Sequence, residues 1–358
     1  MTTTSRRRAG AARAGARAGI ADVARLAGVS TATVSRALAS PGVVSATTRD
    51  RVLQAVRETG YTPHVAAQNL RARRTMMVLV VVPDIANPFF AEVLHGIEDT
   101  LAAAGYGLLI GNLANSVAKE GRYVDLVFAG QVDGVLLLNG GIPASAGRGM
   151  AESGVPIVAA CEAIPKAPFP QVEIQNREAS IAVAALLAQL GHRRFAYIAG
   201  PRGNVLEKER NAGFRKGLAA AGFDAASLVQ FDGDFTFRAG ADAARRFMAM
   251  QPRPTAVYAA NDEMAIGFLK AVRAAGIQVP RDVSVVGFDG IDYADYAEPT
   301  LTTVRQPRNA LGATAAGLLI DLMTGKTRAK PGLTRLEISL LVRGSTGPAP
   351  GATTARGG

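Results

Sequence analysis

The chain has 358 residues, of which 48% are hydrophobic. A chain of this length and composition is too large for one small hydrophobic core, so two or three domains are expected. Its single cysteine, Cys161, excludes an internal disulfide framework, and three scattered histidines predict no metal site. No run reaches the roughly 20 apolar residues of a membrane span, and no apolar segment typical of a secretory signal follows the N-terminal arginines. These features predict a cytoplasmic protein without a membrane partner.

Positive charge is concentrated at the N-terminus. Residues 1–74 contain 13 arginines, no lysine and three acids, a balance of +10 out of the +11 of the whole chain. A neutral body with a basic head is expected of a protein that binds the phosphate backbone of nucleic acid. An anionic membrane surface or a solvated tail is the alternative explanation.

Two short helices are predicted after a low-complexity arm. Residues 1–19 are rich in Ala, Gly and Arg, which is typical of a flexible arm. Apolar residues then recur at helical spacing until Gly28, and a second helix follows the N-cap Ser30 to about Leu38. Two helices joined by a tight Gly-containing turn predict a helix-turn-helix.

A third helix closes this small domain. It is predicted to begin after Ser45 and to end at Gly60. Its core-facing residues are predicted to be Val52, Leu53 and Val56. Residues 20–62 are therefore expected to form an all-α DNA-binding head.

The outer face of the second helix has short side chains and one arginine. Such a face can lie deep in the major groove, where Arg36 can bind a guanine edge, Ala32 can contact a thymine methyl and Thr31 can bond to either base type. The residues expected to bind phosphate oxygens are Ser30, Thr33 and Ser35. A solvated helix whose hydroxyls serve only as caps is the alternative.

Residues 63–75 form a further short helix candidate. The segment "TPHVAAQNLRARRT" allows about two turns, and a helix of that length is marginal alone in water. An interdomain linker is the alternative interpretation.

The body predicts alternating strands and helices. Short apolar runs lie at residues 76–82, 107–110, 134–138, 156–160, 194–200, 255–260 and 283–288. Unalternating runs of this kind are typical of parallel sheets buried on both faces, which predicts a doubly wound α/β architecture with two lobes. Ligands of such sheets bind at the carboxyl ends of the strands. There Phe89 and Phe90 of "NPFF" could stack on a sugar or a base, although one of the two is expected in the core.

Several segments resemble the lactose-repressor (LacI/GalR) family. They are "IADVARLAGVSTATVSRAL", "VSATTRDRVLQAVRETGYTP", "AAQNLRARRT", "VPDIANPFFAEVLHGIE", "LGHRRFAYIAGP", "NDEMAIG", "VPRDVSVVGFDGID" and "PTLTTVRQP", in the family's order. Within that family, the "CE" at Cys161 and Glu162 and the later "GDFTF" are most similar to a nucleoside-responding member. One departure is Gly19, where the family usually has a threonine cap, so a less firmly capped first helix is expected.

The resemblance implies a second DNA contact. Residues 63–75 would be a hinge helix that orders only on DNA, pairs with that of a second copy, and inserts Leu70 into the minor groove as an apolar wedge. Its arginines, including Arg71, would lie near phosphates. A homodimer on a pseudo-palindromic double-stranded operator is implied.

The resemblance also implies a two-lobed, periplasmic-binding-protein-like core over residues 76–346. Lobe 1 would comprise about 76–175 and 305–333, lobe 2 about 176–304 and 334–346, and a disordered tail would follow over 347–358. The chain would cross between lobes near Gln175, Val304 and Thr334. By the same resemblance and by the residue types of the cleft loops, the further ligand-binding residues would be Glu162, Arg210, Phe235, Asn261, Asp262 and Asp289.

The function predicted from these features is transcriptional regulation, with repression favoured and with a nucleoside or sugar as effector and no other cofactor. A sugar-responsive activator is one alternative. A sugar-binding transport protein is another, but it would need a signal peptide and no helix-turn-helix. No nucleotide-binding loop or nucleophile–base set is evident, so an enzyme is not expected.

Overall fold

The computed structural model describes residues 18–39, 41–61, 74–114, 116–328 and 330–351. These residues belong to two compact units, one ending at Arg74 and the other beginning at Thr75. Parts of several predicted segments lie outside the described residues: the arm up to residue 17, the last residue of the head (62), residues 63–73 of the hinge segment 63–75, with Leu70 and Arg71, and the tail from residue 352.

The N-terminal unit contains the predicted helix-turn-helix. Its helices are α1 (Ile20–Ala27), α2 (Thr31–Ala39) and α3 (Ala46–Thr59), with a 3₁₀ turn at Pro41–Val43. Its buried core is Val23, Ala24, Ala27, Val34, Ala37, Val52 and Ala55. The assignment of Leu53 to that core was wrong, because Leu53 is 37% exposed and the inward face of α3 instead runs through Val52 and Ala55.

The ends of α1 explain how a glycine cap is tolerated. The carboxylate of Asp22 accepts a hydrogen bond of 3.0 Å from the Gly19 N–H, and this bond, together with Arg25, lowers the pKa of Asp22. This bond is one half of a capping box, and it stabilises the start of α1 although glycine lacks the side-chain oxygen that would accept from the N–H of Asp22. At the other end, the guanidinium of Arg51 donates to the carbonyl oxygens of Ala27 and Gly28, which fixes α3 against the turn before α2.

The second unit contains two six-stranded sheets and a small hairpin. Its strands are β1 (Met77–Val82), β2 (Gly107–Asn112), β3 (Gly134–Leu137), β4 (Ala144–Ser145), β5 (Arg148–Gly149), β6 (Ile157–Ala160), β7 (Pro170–Ile174), β8 (Phe195–Ile198), β9 (Val229–Phe231), β10 (Ala256–Ala259), β11 (Ser284–Asp289), β12 (Thr302–Arg305), β13 (Gly332–Leu336) and β14 (Ser339–Leu341). Its helices are α4 (Phe89–Ala103), α5 (Glu120–Phe128), α6 (Asn176–Gln189), α7 (Val205–Ala220), α8 (Phe237–Met248), α9 (Asp262–Ala274), α10 (Tyr293–Tyr296) and α11 (Arg308–Met323).

The two sheets define the two lobes. Lobe 1 has the strand order β13-β7-β6-β3-β1-β2, and all of its pairs are parallel. Lobe 2 has the order β14-β12-β11-β10-β8-β9, and only β14 is antiparallel. All seven strands predicted from apolar runs are present, and this confirms the two-lobed α/β core.

Two boundaries differ from those expected. The third crossing between lobes follows Leu336 rather than Thr334, because the whole of β13 pairs with β7 in lobe 1. Disorder from residue 347 was also expected, but the Gly347 carbonyl accepts a hydrogen bond from the Ser284 hydroxyl, and Ala349 N–H donates to the Leu190 carbonyl. Residues 347–351 are therefore held against lobe 2.

Glycines allow the helices of each lobe to pack backbone against backbone. In lobe 1, a β-carbon on Gly96 would lie 2.1 Å from the Asn309 carbonyl oxygen, and one on Gly312 would lie 2.0 Å from that of Val93. These contacts join α4 to α11. In lobe 2, Gly240 and Gly267 make the same kind of reciprocal contact between α8 and α9. Any larger residue at these positions must force the helices apart.

We expect Gly312→Ala to destabilise the core by about 2 kcal/mol, because the added methyl overlaps backbone atoms that cannot move independently. The matched control is Gly317→Ala in the same helix, where a β-carbon would meet no heavy atom within 4 Å. Alanine is the better helix former, so the control should be neutral or slightly stabilising. Urea unfolding midpoints measure both, and equal shifts would contradict the close-packing argument.

Candidate functional site

A cavity of about 310 Å³ lies between the two lobes, at the carboxyl ends of their parallel strands. This volume is in the range of small-molecule sites. Lobe 1 contributes residues that follow β1, β3 and β6, and lobe 2 contributes residues that follow β8, β9, β10, β11 and β12. The cavity therefore occupies the position expected for a ligand site in doubly wound sheets.

Arg210 of α7 is the central cation of the cavity and is only 2% exposed. It donates to the Asn176 side-chain oxygen at 2.9 Å and to the Ala260 carbonyl oxygen at 2.5 Å. Its guanidinium carbon lies 3.7 Å from the centroid of the Phe288 ring, and a terminal nitrogen lies 3.5 Å from a carboxylate oxygen of Asp289. A buried cation with these partners is neutralised and held in one orientation.

Asp289 is the buried acid paired with this arginine. Burial raises its pKa to about 6, an effect that Arg210 and a 2.7 Å hydrogen bond from the Gln306 side chain partly oppose. Its φ of 115° is a strained conformation for a residue with a side chain. Such strain at a cleft residue is typical of a functional position.

Glu162 connects the two lobes across the cleft. It follows β6 in lobe 1, is 8% exposed, and accepts a hydrogen bond of 3.0 Å from the side chain of Asn204 in lobe 2. Asn204 is also the N-cap of α7, because its side-chain oxygen accepts from the Glu207 N–H at 3.1 Å. Burial raises the pKa of Glu162 to about 7, although Arg210 and Asn204 act in the opposite direction.

A second glutamate with a raised pKa faces the same space. Burial raises the pKa of Glu263 to about 7, and the carboxylates of Asp289, Asp84 and Asp234 add to the effect. The wall of the cavity is thus acidic around one buried arginine.

Seven of the eight predicted ligand-binding residues line the cavity. They are Phe89, Phe90, Glu162, Arg210, Phe235, Asn261 and Asp289. Both phenylalanines are also buried in the core, and their rings meet edge to face at 5.1 Å. One of the two was expected in the core, but both are buried there, and both also line the cavity.

The assignment of Asp262 to the ligand site was wrong. Asp262 is fully buried, and its carboxylate accepts hydrogen bonds from the Thr303 hydroxyl at 2.6 Å and the Ile291 N–H at 2.9 Å. Its partners belong to the structure that supports the cleft, so Asp262 holds α9 against β12 and against the loop after β11. The preceding residue, Asn261, caps α9 and reaches the cleft.

Other polar residues of the cavity were not identified from the sequence. They include Asp84, Asn87, Asn139, Asn204, Glu263 and Gln306. Most lie within a few residues of a strand end, so position after a predicted strand was the signal that could have found them.

Six of the eight predicted DNA-binding residues lie together on α2 and its N-cap, and the other two, Leu70 and Arg71, lie outside the described residues. Ser30, Thr31, Ala32 and Arg36 are exposed, whereas Thr33 and Ser35 are half-buried. The Ser30 hydroxyl accepts from the Thr33 N–H at 3.1 Å and lies 2.9 Å from the Thr33 hydroxyl, so both contribute to the helix cap. The exposed row consists of short side chains around one arginine.

Two features lie outside the cleft. On the exposed face of α4, atoms of His95, Glu98 and Asp99 that could bind a metal ion lie within 4.8 Å of one another, but exposed acidic groups are common without any ion.

Among the helices of the described residues, none is both long and apolar enough to cross a membrane.

Comparison with known proteins identifies both units. Residues 19–64 match the bacterial regulatory proteins of the lacI family, and residues 184–346 match the periplasmic binding protein-like domain. The chain is 40% identical over 329 residues to the HTH-type transcriptional repressor CytR of Escherichia coli K12, covering 92% of this chain and 96% of that protein. It is 38% identical to the HTH-type transcriptional regulator CelR of Thermobifida fusca, covering 90% and 96% of the two chains.

Solved structures agree with this assignment. A transcriptional regulator CelR–cellobiose complex matches with a TM-score of 0.69 and 36% identity, over 92% of this chain and 100% of the other. The Lac repressor dimer bound to operator and an anti-inducer matches with a TM-score of 0.81 and 26% identity, over 93% and 100%. The chain therefore belongs to the lacI family of bacterial regulatory proteins, as a DNA-binding transcriptional regulator with an effector-binding core.

Proposed function

We propose that this protein is a repressor that binds a pseudo-palindromic operator as a homodimer and is controlled by an unphosphorylated nucleoside or sugar. The observation that carries the effector class is the charge of the cleft, where one buried arginine faces an acidic wall. The acids of that wall are Asp84, Glu162, Asp234, Glu263 and Asp289. A phosphorylated effector would add negative charge among desolvated carboxylates and would be repelled.

Apolar rings and polar groups in the same wall support this effector class. Phe89, Phe90 and Phe235 offer surfaces on which a sugar or base can stack, and the carboxylates can accept from hydroxyl or amino groups. Related regulators were solved with cellobiose and with ribose, which are both uncharged. Because the named relatives are transcriptional regulators, we infer a binding role for the cleft rather than a catalytic one.

The proposed DNA contacts divide by their chemistry. Thr31, Ala32 and Arg36 would read bases in the major groove, while Ser30, Thr33 and Ser35 would hold phosphates. Leu70 would insert into the minor groove beside Arg71. Both of these last residues lie outside the described residues.

A carboxylate clamp supports the proposed coupling between cleft and hinge. Asp133, just before β3, accepts hydrogen bonds from the Thr75 N–H at 2.8 Å, the Thr75 hydroxyl at 2.9 Å and the Met76 N–H at 2.9 Å. Thr75 is the last residue of the predicted hinge segment, and Met76 is the first residue of the predicted core. Any rotation of lobe 1 on effector binding would therefore be passed to the end of the hinge.

The effector class can be tested with pairs that differ by one phosphate: cytidine and its 5′-monophosphate, uridine and its 5′-monophosphate, ribose and ribose 5-phosphate. We expect an unphosphorylated member to raise the melting temperature and to change operator affinity, and its phosphorylated partner to do neither at the same concentration. Preferential stabilisation by the phosphorylated members would overturn the effector class. If no compound from a wide panel of sugars and nucleosides changed operator affinity, effector control itself would be refuted.

The base-reading role of Arg36 predicts that Arg36→Lys lowers affinity for an operator, selected from random DNA, by about tenfold or more. Lysine keeps the charge but cannot form the bidentate contact with guanine, so affinity for unrelated DNA should stay the same. Fluorescence anisotropy on both DNAs measures the difference. The control is Arg57→Lys on the exposed surface of α3, which should match the unmodified protein on both.

The clamp predicts that Asp133→Asn weakens operator binding and its response to effector, while effector affinity changes by less than about twofold. Asparagine has the same shape but turns an N–H₂ group toward a backbone N–H, so the clamp loses at least one bond. The control is Asp125→Asn on α5, whose carboxylate is exposed. An unaltered operator response in Asp133→Asn would show that the clamp does not couple the two sites.

A further inference from the structure

One buried acceptor in the cleft has no donor. The side-chain oxygen of Asn139, which follows β3, makes no hydrogen bond and is inaccessible to solvent, and among buried side-chain atoms of the described residues it is alone in this. Asn139 lines the cavity. Because a buried carbonyl oxygen without a donor is costly, this atom is a natural place for a donor group of the ligand.

A second acceptor lies at the same corner of lobe 1. Strands β3 and β6 pair in parallel with Leu137 opposite Ala159, and continuing that register brings the residues after β3 beside those after β6. A β-carbon on Gly140 would lie 2.4 Å from a carboxylate oxygen of Glu162, so the backbone next to Asn139 touches this carboxylate. The Asn204 side chain donates to that same oxygen.

We propose that Asn139 and Glu162 form an acceptor pair for a primary amino group, so that the effector is an amino-bearing nucleoside or amino sugar. The assignment rests on the proposed function of the cleft as the effector site. An amino group has at least two hydrogens and can donate to both acceptors at once, whereas a hydroxyl has one hydrogen and a carbonyl none. A carbonyl in this place would face two acceptors and leave Asn139 without a donor.

The charge of the site agrees with this choice. Burial raises the pKa of Glu162 to about 7, although Arg210 and the hydrogen bond from Asn204 act in the opposite direction. A bound amino group would supply a donor and favour the ionised form. The lobe-bridging bond from Asn204 to Glu162 would remain, because the carboxylate oxygen that accepts it has a second lone pair with which it can accept from the amino group.

The test uses pairs of compounds that differ only at one amino group: cytidine and uridine, adenosine and inosine, glucosamine and glucose. Isothermal titration calorimetry of the full-length protein should show an amino member of at least one pair binding about tenfold or more tighter than its partner. Asn139→Ala and Glu162→Gln should reduce that ratio toward one by weakening only the amino member. The first variant removes an acceptor, and the second turns an N–H₂ group toward the ligand.

Two further variants make the result specific. Asn139→Asp has the same shape with two acceptor oxygens, so it should keep or increase the preference for the amino member even if Asn139→Ala folds poorly. Glu178→Gln, on the exposed side of α6, should leave the ratio unchanged. Melting temperatures of all variants identify any loss of folding.

Three results would overturn the assignment. In the first, no amino member binds better than its partner; in the second, Asn139→Asp lowers the preference; in the third, Asn139→Ala and Glu162→Gln weaken both members of a pair equally. Binding of sugars without an amino group, accompanied by a change in operator affinity, would refute the proposed amine site but would leave the proposed regulatory function intact. Absence of any effect of small molecules on operator binding would instead refute the regulatory function.

Discussion

The buried ion pair of Arg210 and Asp289 is the interaction on which the cleft depends. A guanidinium that is 2% exposed must be neutralised within the protein, and the groups that do this come from separate parts of the chain. Asn176 lies directly after the first crossing between lobes, and Gln306, which binds Asp289, lies at the second. The ion pair that lines the cavity is therefore held by residues at two of the three inter-lobe crossings, so in the proposed mechanism a ligand that contacts it would act on those crossings directly.

The buried acids of the cleft lower the stability of the folded core by an amount that depends on pH. Burial raises the pKa of Glu162 and Glu263 to about 7 and that of Asp289 to about 6, so the folded core retains protons that the unfolded chain has already released. Stability is thus expected to fall as pH rises from about 4 to 7, because the folded state binds more protons throughout this window. A ligand rich in hydrogen-bond donors would offset this cost most strongly above about pH 7, where the three acids are mostly ionised.

Sequence patterns identified features that depend on periodicity and position, but not those that depend on orientation. Apolar runs located seven strands, whereas strands such as β7, β9 and β12 were missed because they are short or contain polar residues. The family resemblance indicated Arg210 and Asp289 as cavity residues. It did not distinguish Asn261, which lines the cavity, from Asp262, whose side chain points into the interior one residue further along the chain. The unpartnered oxygen of Asn139 is beyond any sequence pattern, because its lack of a donor is a property of the packed cleft.

Close packing within each lobe determines where movement can occur. Helices α4 and α11 in lobe 1, and α8 and α9 in lobe 2, meet backbone to backbone at glycines, and such contacts leave little room for sliding. Any change in conformation on ligand binding would then be concentrated at the crossings between the lobes, because the interior of each lobe is too tightly packed to deform. Since Asp133 holds the first residues of the core to lobe 1, rotation of that lobe displaces residues 75 and 76 as part of the same body. In the proposed mechanism a hinge helix of about two turns has only marginal stability, so a displacement of this kind would change whether the helix forms.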